Sequence, residues 1–178
     1  MESTFDIEDL KYPVGPLIRK DFYSAEEIAS FTESIAAAPR LYKDTIEKLP
    51  ASDMFKTYRP GSWNVQQLVH HVADIQLLHF LRMKKALTEP DYKDVTLIDM
   101  DKWVSTADGI DAPTEDSLIM LEGITRRYIF LIRSLNEDEL SIEYFHPVRK
   151  YTVNQAQAIA MSAWHLKHHL AHIELAVK

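Results

Sequence analysis

The sequence predicts an all-α protein whose simplest architecture is a four-helix bundle. Four long stretches carry apolar residues at the three-to-four spacing of a helix, and each begins with side chains that can cap a helix. The connections between them differ in length, and no stretch alternates convincingly like a strand. A chain of 178 residues is long enough to bury one core, so residues 1–178 are predicted to form a single domain.

Residues 1–22 are predicted to form an extended arm that lies over the bundle. The segment Tyr12-Pro13-Val14-Gly15-Pro16 contains two prolines. Proline lacks the backbone N–H that a helix needs, so regular helix is excluded there.

The first long helix is predicted to begin after Ser24. Ser24 and Glu27 have the spacing of a capping box, in which each side chain accepts a hydrogen bond from the backbone of the other residue. Apolar residues then recur at helical spacing to about Ala38. Pro39 is expected to break or kink the helix, while an apolar stripe continues as far as Pro50.

The second long helix is predicted to run from Asn64 to about Leu87. Asn64 can cap it, and Gln67 can reach back to the cap. Its apolar residues fall within about 100° of one another around the helix axis, which is the width of a core-facing stripe. His71 lies at the edge of this stripe and His70 lies about 100° further round, so His71 is better placed to point into the bundle.

A long loop, Thr88 to Pro113, separates the second helix from the third. Excursions of this length in compact domains are usually functional, so the loop is expected to help shape a substrate pocket. The third helix is predicted to run from Thr114, with an acidic first turn that suits the helix dipole, to about Leu135.

The last helix follows a second connector, Asn136 to Lys150, and is predicted to begin at Tyr151. Thr152 and Gln155 repeat the capping-box spacing there. The remaining sequence contains neither proline nor glycine, so helix is expected to continue to the C-terminus.

Charge and composition exclude several classes of function. The net charge of −7 disfavours a nucleic-acid partner, because phosphate binding needs clustered lysine and arginine. The chain has no cysteine, so it can form no disulfide and supply no thiolate. Met1–Asp6 lacks the apolar segment of a signal peptide, and no run reaches the about 18 apolar residues of a membrane span. A cytoplasmic protein without a membrane partner is therefore expected.

Histidines are concentrated near the C-terminus, where four of the eight lie in the run His165-Leu166-Lys167-His168-His169-Leu170-Ala171-His172. Two pairs in this run, His165 with His169 and His168 with His172, are each one helical turn apart, and the spacing does not distinguish them. Such a pair can supply two imidazole ligands to a divalent metal, although an isolated pair is more often structural. A third ligand is expected from the second helix, where His71 points inward.

Four segments form a recognisable combination: Tyr12-Pro13-Val14-Gly15, the stretch YRPGSWNVQQLVHHVAD at 58–74, Tyr144-Phe145-His146-Pro147 and the stretch AWHLKHHLAH at 163–172. Together they resemble one known family, the DinB-like superfamily, and within it the YfiT-like branch. The resemblance thus spans nearly the whole chain. One departure stands out, because Leu166-Lys167 occupies positions where the branch commonly has a Ser-His pair.

The resemblance implies an up-down-down-up order for the four helices and a divalent zinc or nickel ion. The implied ligands are His71 from the second helix and His165 and His169 from the last. Members of the family include proteins regarded as metal-dependent hydrolases and thiol S-transferases that use bacillithiol, mycothiol or glutathione. Relatives also form homodimers, so a homodimer is expected here.

Three neutral imidazoles leave the charge of a divalent ion uncompensated and leave coordination positions open, as in catalytic sites. Such an ion can activate either a water or a low-molecular-weight thiol cosubstrate, and the family resemblance favours the thiol slightly. Asp74, one turn beyond His71, is a candidate to orient a ligand or accept a proton, and His146 is a candidate at the cavity mouth. The predicted function is thus a metal-dependent hydrolase or thiol S-transferase acting on a small-molecule substrate. The alternative is a non-catalytic bundle that a metal ion only stabilises.

Overall fold

The computed structural model describes residues 7–178 and consists mainly of helices. The predicted bundle is formed by the four long helices α2, α3, α6 and α8. In chain order the helices are α1 (Ile7–Lys11), α2 (Ala25–Ile46), α3 (Val65–Thr88), α4 (Met100–Trp103), α5 (Ala107–Asp111), α6 (Thr114–Ile132), α7 (Glu137–Ser141) and α8 (Gln155–Ala176). A 3₁₀ helix at Ala51–Phe55 and two short strands, β1 (Glu143–His146) and β2 (Tyr151–Asn154), complete the described chain.

Each long helix packs against two others, and α2 and α3 lie diagonally across the bundle. Helices α3 and α6 run parallel, because Gln66 near the start of α3 donates a hydrogen bond to Ala112 just before α6. Helices α3 and α8 run antiparallel, since Gln76 accepts a hydrogen bond from Ser162 and His71 meets His165. Arg133, at the end of α6, pairs with Glu33 in the first half of α2, so these two helices are also antiparallel. The order is therefore up-down-down-up, as expected.

Capping boxes begin three of the four long helices. The boxes predicted at Ser24 and Asn64 are present, each with reciprocal side-chain-to-backbone hydrogen bonds. The third begins α8, but its cap is Asn154 with Gln157 rather than Thr152 with Gln155. The predicted start of the last helix was therefore wrong by four residues, because 151–154 form β2.

The β-hairpin is the main feature that the helical interpretation missed. Strands β1 and β2 are antiparallel, with Tyr144 opposite Val153 and both side chains buried. Their neighbours along the strands are more exposed, which is the alternation of a half-buried strand. The backbone of Phe145 also exchanges hydrogen bonds with Lys93 and Val95, so the hairpin pins part of the long loop against the bundle.

Two other predicted boundaries need correction. Helix α2 continues through Pro39 to Ile46. Proline removes one backbone hydrogen bond of the helix, but the burial of Ile35 before it and Tyr42 after it anchors the helix on both sides and offsets this loss. The predicted arm contains helix α1 between Ile7 and Lys11, whereas Tyr12–Lys20 is free of regular helix. The part of that prediction that concerns residues 1–6 lies outside the described residues.

The long loop between α3 and α6 is partly helical, since it contains α4 and α5. Gln67 donates a side-chain hydrogen bond to the carbonyl of Val104, and Gln66 donates to that of Ile110. The loop therefore returns along α3 to the end of the bundle at which α3 begins. Within residues 7–178, no helix combines the length and the hydropathy needed to cross a membrane.

Candidate metal centre

His71, His165 and His169 converge where the first turns of α3 pass the middle of α8. The Nε2 atoms of His71 and His165 are 3.1 Å apart. One ring nitrogen from each of the three residues lies within 4.8 Å of the other two. The structure therefore brings together the three side chains that the family resemblance implies as ligands.

This spacing fits a shared ion. Zinc binds imidazole nitrogens at about 2.0–2.1 Å, so two ligands at a tetrahedral angle lie roughly 3.3 Å apart. The 3.1 Å between His71 and His165 is close to that value before any adjustment. His169 lies beside both residues, with its ring centroid 4.5 Å from that of His165 and 4.8 Å from that of His71.

Burial keeps all three imidazoles neutral, which is the form that binds a metal. Burial is the main cause that lowers the pKa of His71 to about 3, and nearby His168 adds to the effect. The pKa values of His165 and His169 lie well below the ordinary 6.5, first because of burial and then because of the other histidines. At neutral pH each ring therefore has one nitrogen lone pair to offer.

A second group of histidines adjoins the first and shares His169 with it. Ring nitrogens of His168, His169 and His172 also lie within 4.8 Å of one another. Nδ1 of His172 is 3.3 Å from Nδ1 of His169, and its Nε2 is 3.2 Å from the carbonyl oxygen of Lys11. The ring of Tyr58 stacks on His172 with centroids 3.8 Å apart. His172 is thus fixed by contacts on several sides.

The first trio lines an open cavity of about 410 Å³. Three basic side chains and one acidic side chain lie around it, Lys11, Arg59, Arg149 and Asp101. A larger groove of about 1000 Å³ runs between α2 and α6, but no histidine lines it. The remaining residues of the smaller cavity are Tyr12, Tyr58, Gly61, Ser62, Trp63, Met100, Trp164, His168 and His172, together with the trio.

Asp74 and His146, the two other predicted site residues, do not line this cavity. Asp74 is partly buried, and burial with a contribution from the charge of Asp108 raises its pKa to about 6. Nδ1 of His146 accepts a hydrogen bond from the backbone N–H of Arg149 in the hairpin turn, at 3.3 Å. Their catalytic roles remain predictions.

His70 and His79 face other parts of the bundle. His70 contacts Ser117 at 2.7 Å and the carbonyl oxygen of Ala112 at 3.2 Å, so it joins α3 to the start of α6. His79 is buried, and its ring centroid is 6.3 Å from that of His165. The preference for His71 over His70 as the inward-facing residue therefore agrees with the geometry.

Sequence reasoning missed most of the cavity wall. Trp63 and Trp164 are both partly buried and line the cavity. Arg59 and Arg149 gave no signal, because isolated arginines in connectors are common. The one sequence signal near Arg59 was the turn Arg59-Pro60-Gly61-Ser62, which lies just before the Asn64 cap at the start of α3.

The fold and the histidine cluster together define a helical bundle with a candidate three-histidine metal site. The model of the DinB superfamily matches residues 34–173, and the chain belongs to that superfamily.

Relatives with related sequences extend the match to nearly the whole chain. A protein from Oceanobacillus iheyensis named "Putative metal-dependent hydrolase" is 36% identical over 169 residues, which cover 95% of this chain and 96% of the relative. A protein of the same name from Bacillus cereus is 34% identical over 172 residues, covering 94% and 95%. The chain is thus similar over its length to proteins named for metal-dependent hydrolysis.

Solved structures confirm the fold. YfiT from Bacillus subtilis, described as a probable metal-dependent hydrolase with an unusual four-helix bundle topology, superposes with a TM-score of 0.90 at 29% identity, covering 95% of this chain and 97% of that one. A mycothiol-dependent maleylpyruvate isomerase superposes with a TM-score of 0.66 at 15% identity, covering 82% and 60%. The second similarity shows a shared fold only.

Proposed function

We propose that this protein is a metal-dependent enzyme that binds a divalent cation, zinc or nickel, through His71, His165 and His169. The observation that carries the proposal is the convergence of three neutral imidazoles, two of them with nitrogens 3.1 Å apart, at the wall of an open cavity. Structural zinc sites usually have four protein ligands, whereas three leave a position for a reactant. The names of the relatives from Oceanobacillus and Bacillus point in the same direction.

The chain itself supplies a rigid, desolvated set of donors. His71 and His169 are buried, and Trp63 lies against both rings, with centroids 4.6 Å and 6.4 Å away. Packing of this kind holds the imidazoles in place and excludes water from the protein side of the site. A bound divalent cation would supply the positive charge that brings the pKa of a water or a thiol toward neutrality.

Hydrolysis is the first candidate reaction, because the relatives that cover nearly the whole chain are named for it. Thiol transfer is the second. The chain has no cysteine, so a thiol nucleophile would have to come from a low-molecular-weight cosubstrate. An isomerase that depends on mycothiol has the same fold, and the two candidate reactions would need the same three ligands.

The cavity favours a small anionic substrate or cosubstrate. Arg59 and Arg149 line it without an ion pair to a carboxylate among the described residues, whereas Lys11 is paired with Glu8 at 2.7 Å. Nε of Arg59 is buried and has no hydrogen-bond partner in the described structure. This local positive charge contrasts with the net charge of −7 and would attract carboxylate or phosphate groups toward the histidines.

Metal content and activity, measured on the same preparations, test the proposal. Purified protein is expected to contain about one equivalent of zinc or nickel and to hydrolyse carboxylate-bearing esters or amides, or to transfer a thiol to an electrophilic acceptor. Chelation should abolish the activity, and added metal should restore it. If protein that does contain metal shows no metal-dependent activity, either on the esters and amides or with a thiol and the electrophilic acceptors, the non-catalytic alternative is favoured.

A homodimer remains part of the proposal. Ile119 and Phe130 are 70% and 80% exposed and lie three turns apart on one side of α6, where an apolar surface could be covered by a second copy. Sedimentation analysis of the protein and of Phe130→Glu provides the test. A dimer that this substitution dissociates supports the proposal, and a wild-type monomer contradicts it.

A further inference from the structure

His172 connects the arm of the chain to the candidate metal site through two contacts of one imidazole ring. Its Nε2 lies 3.2 Å from the carbonyl oxygen of Lys11, and its Nδ1 lies 3.3 Å from Nδ1 of His169. The side chain is almost fully buried, at 2% exposure, so water does not compete for these contacts. His169 in turn belongs to the trio that faces the cavity.

The chemistry of neutral imidazole fixes the direction of both hydrogen bonds. A carbonyl oxygen can only accept, so Nε2 of His172 must carry the proton and donate it to Lys11. A neutral ring has one donor and one acceptor, so Nδ1 of His172 must then accept a hydrogen bond. The donor is the N–H at Nδ1 of His169, and the lone pair of His169 is consequently on Nε2.

We infer that His172 is a positioning residue that, together with the Lys11 carbonyl, holds the proton of His169 on Nδ1 and so directs the Nε2 lone pair of His169 to the metal. The inference rests on the proposed function for the role of His169 as a ligand. Hydrogen bonds from a ligand's second nitrogen set its tautomer and orientation, and their loss typically costs 10–100-fold in metal affinity.

The surroundings of His172 hold this arrangement in place. Tyr58 stacks on one face of the ring at 3.8 Å and with an interplanar angle of 11°. The arm is anchored a few residues further on, where Nε1–H of Trp164 donates to the carbonyl oxygen of Gly15 at 3.0 Å. The position of the Lys11 carbonyl is therefore determined by contacts with α8 itself, and the arm becomes part of the site.

The shared use of His169 disfavours a simple alternative. His168, His169 and His172 could form a second cation site, but this would require the nitrogens of His169 and His172 that face each other to bind metal instead of sharing a proton. It would also require His169 to use both ring nitrogens as ligands if the first trio is occupied. The contact between His172 and Lys11 uses the other nitrogen of His172 as a donor, as the hydrogen-bonded arrangement requires.

Nitrogen-15 NMR of the metal-free wild-type protein tests the tautomer directly. The long-range proton–nitrogen correlations of His169, assigned by their loss in His169→Gln, should show the proton on Nδ1 and a bare Nε2. His172 should show the reverse pattern. A proton on Nε2 of His169 would overturn the inference. This measurement needs no substitution at position 172 and no bound metal.

Three variants at position 172 separate the hydrogen bond from packing. Asparagine places an oxygen near the position of Nδ1 and can still accept from His169, glutamine can reach only toward Lys11, and phenylalanine does neither. His172→Asn should bind zinc nearly as well as the wild type in a competition assay with a chromophoric chelator. His172→Gln and His172→Phe should bind about 10–100-fold more weakly. Equal affinity in all three, or equal loss in all three, would overturn the positioning role.

Controls keep this test distinct from a failure of the proposed function. His70→Asn replaces another buried, hydrogen-bonded histidine that lies outside the cavity, and its zinc affinity should not change. If the wild type binds no zinc, the proposed function and the positioning role both fail. If the wild type binds one zinc through the trio but His172→Gln binds it equally well, only the inference fails. Binding of two zinc ions that depends on His172 would also overturn it.

Discussion

The Nε2 atoms of His71 and His165 lie 3.1 Å apart, although 94 positions separate the two residues in the chain. In the metal-free protein a hydrogen bond between these two atoms would need a proton on one Nε2, which then donates to the other. Both lone pairs become available to a cation only when that proton moves to the other nitrogen of its ring. Binding of a cation by this pair would therefore change the tautomer of one histidine without requiring a movement of the helices.

Substitution of His71 tests this pair. His71→Ala should lower zinc affinity by more than about 100-fold, a larger loss than removal of a supporting residue. His70→Ala is the matched control, because the neighbouring histidine is also buried but contacts Ser117 on α6 instead. Chelator-competition titrations of both variants provide the measurement. Similar affinities for the two variants would show that His71 is not a ligand.

Removal of the metal distinguishes the enzyme from the alternative of a metal-stabilised bundle. The hydrophobic core forms from all four long helices and does not depend on the histidines, so the metal-free protein should keep its helical circular dichroism and unfold cooperatively. Activity should be lost in the same sample. Unfolding on chelation, with no activity in the loaded protein, would support the structural role instead.

Sequence spacing could predict the helices but not all of their boundaries. The Ser24 and Asn64 boxes were recognisable because a cap and its partner are only three residues apart. The same spacing at Thr152 and Gln155 was misleading, because the strand pairing of 151–154 with 143–146 depends on residues across a turn. The buried Tyr144 and Val153 carried a period-two signal, but each strand has only four residues.

The candidate metal ligands show a similar limit. Both His165 with His169 and His168 with His172 have the i, i+4 spacing, so no argument from one helix could choose between them. The choice depends on which pair meets α3, and the structure places His71 beside His165. The contact of His172 with Lys11 was not predictable, because its acceptor is a backbone carbonyl whose identity carries no sequence signal.

Asp74 should destabilise the folded protein at neutral pH. Its pKa is raised from 3.8 in the unfolded chain to about 6 in the folded chain. The contribution of Asp74 to the free energy of unfolding is therefore fully present below pH 3.8 and is lost as the pH rises through about 6. Asp74→Asn should therefore increase the free energy of unfolding at pH 7, by about 1 kcal/mol after allowance for its partial exposure. The gain should vanish near pH 3.5.

Urea denaturation at these two pH values, with activity measured at pH 7, checks this expectation. Increased stability together with strongly reduced activity would support a proton-accepting or orienting role for Asp74. Increased stability with unchanged activity would restrict Asp74 to a structural position. A variant that is less stable than the wild type at pH 7 would contradict the burial argument itself.

Buried neutral histidines should make the metal-free protein sensitive to acid. Burial lowers the pKa of His71 and of His79 to about 3, from an ordinary value of 6.5. The unfolded chain therefore binds protons that the folded chain does not, and the free energy of unfolding falls as the pH drops from about 6.5 toward about 3. Each residue contributes about 1.4 kcal/mol per pH unit in this window.

His79→Leu isolates one of these contributions. Between pH 6 and pH 4.5 the variant should lose stability less steeply than the wild type, by about 1.4 kcal/mol per pH unit, in chemical denaturation of metal-free samples. Nδ1 of His79 is buried without a hydrogen-bond partner in the described structure, so leucine should also be tolerated at pH 7. Parallel pH profiles of the two proteins would show that His79 binds its proton equally well in the folded and the unfolded states.

Anomalous diffraction from crystals of the zinc- or nickel-loaded protein tests the central claim most directly. Data collected on either side of the metal absorption edge should give one strong difference peak about 2.0–2.1 Å from a ring nitrogen of each of His71, His165 and His169. A peak bound instead by His168 and His172, or no peak beside His71 and His165 in protein that contains the metal, would contradict it.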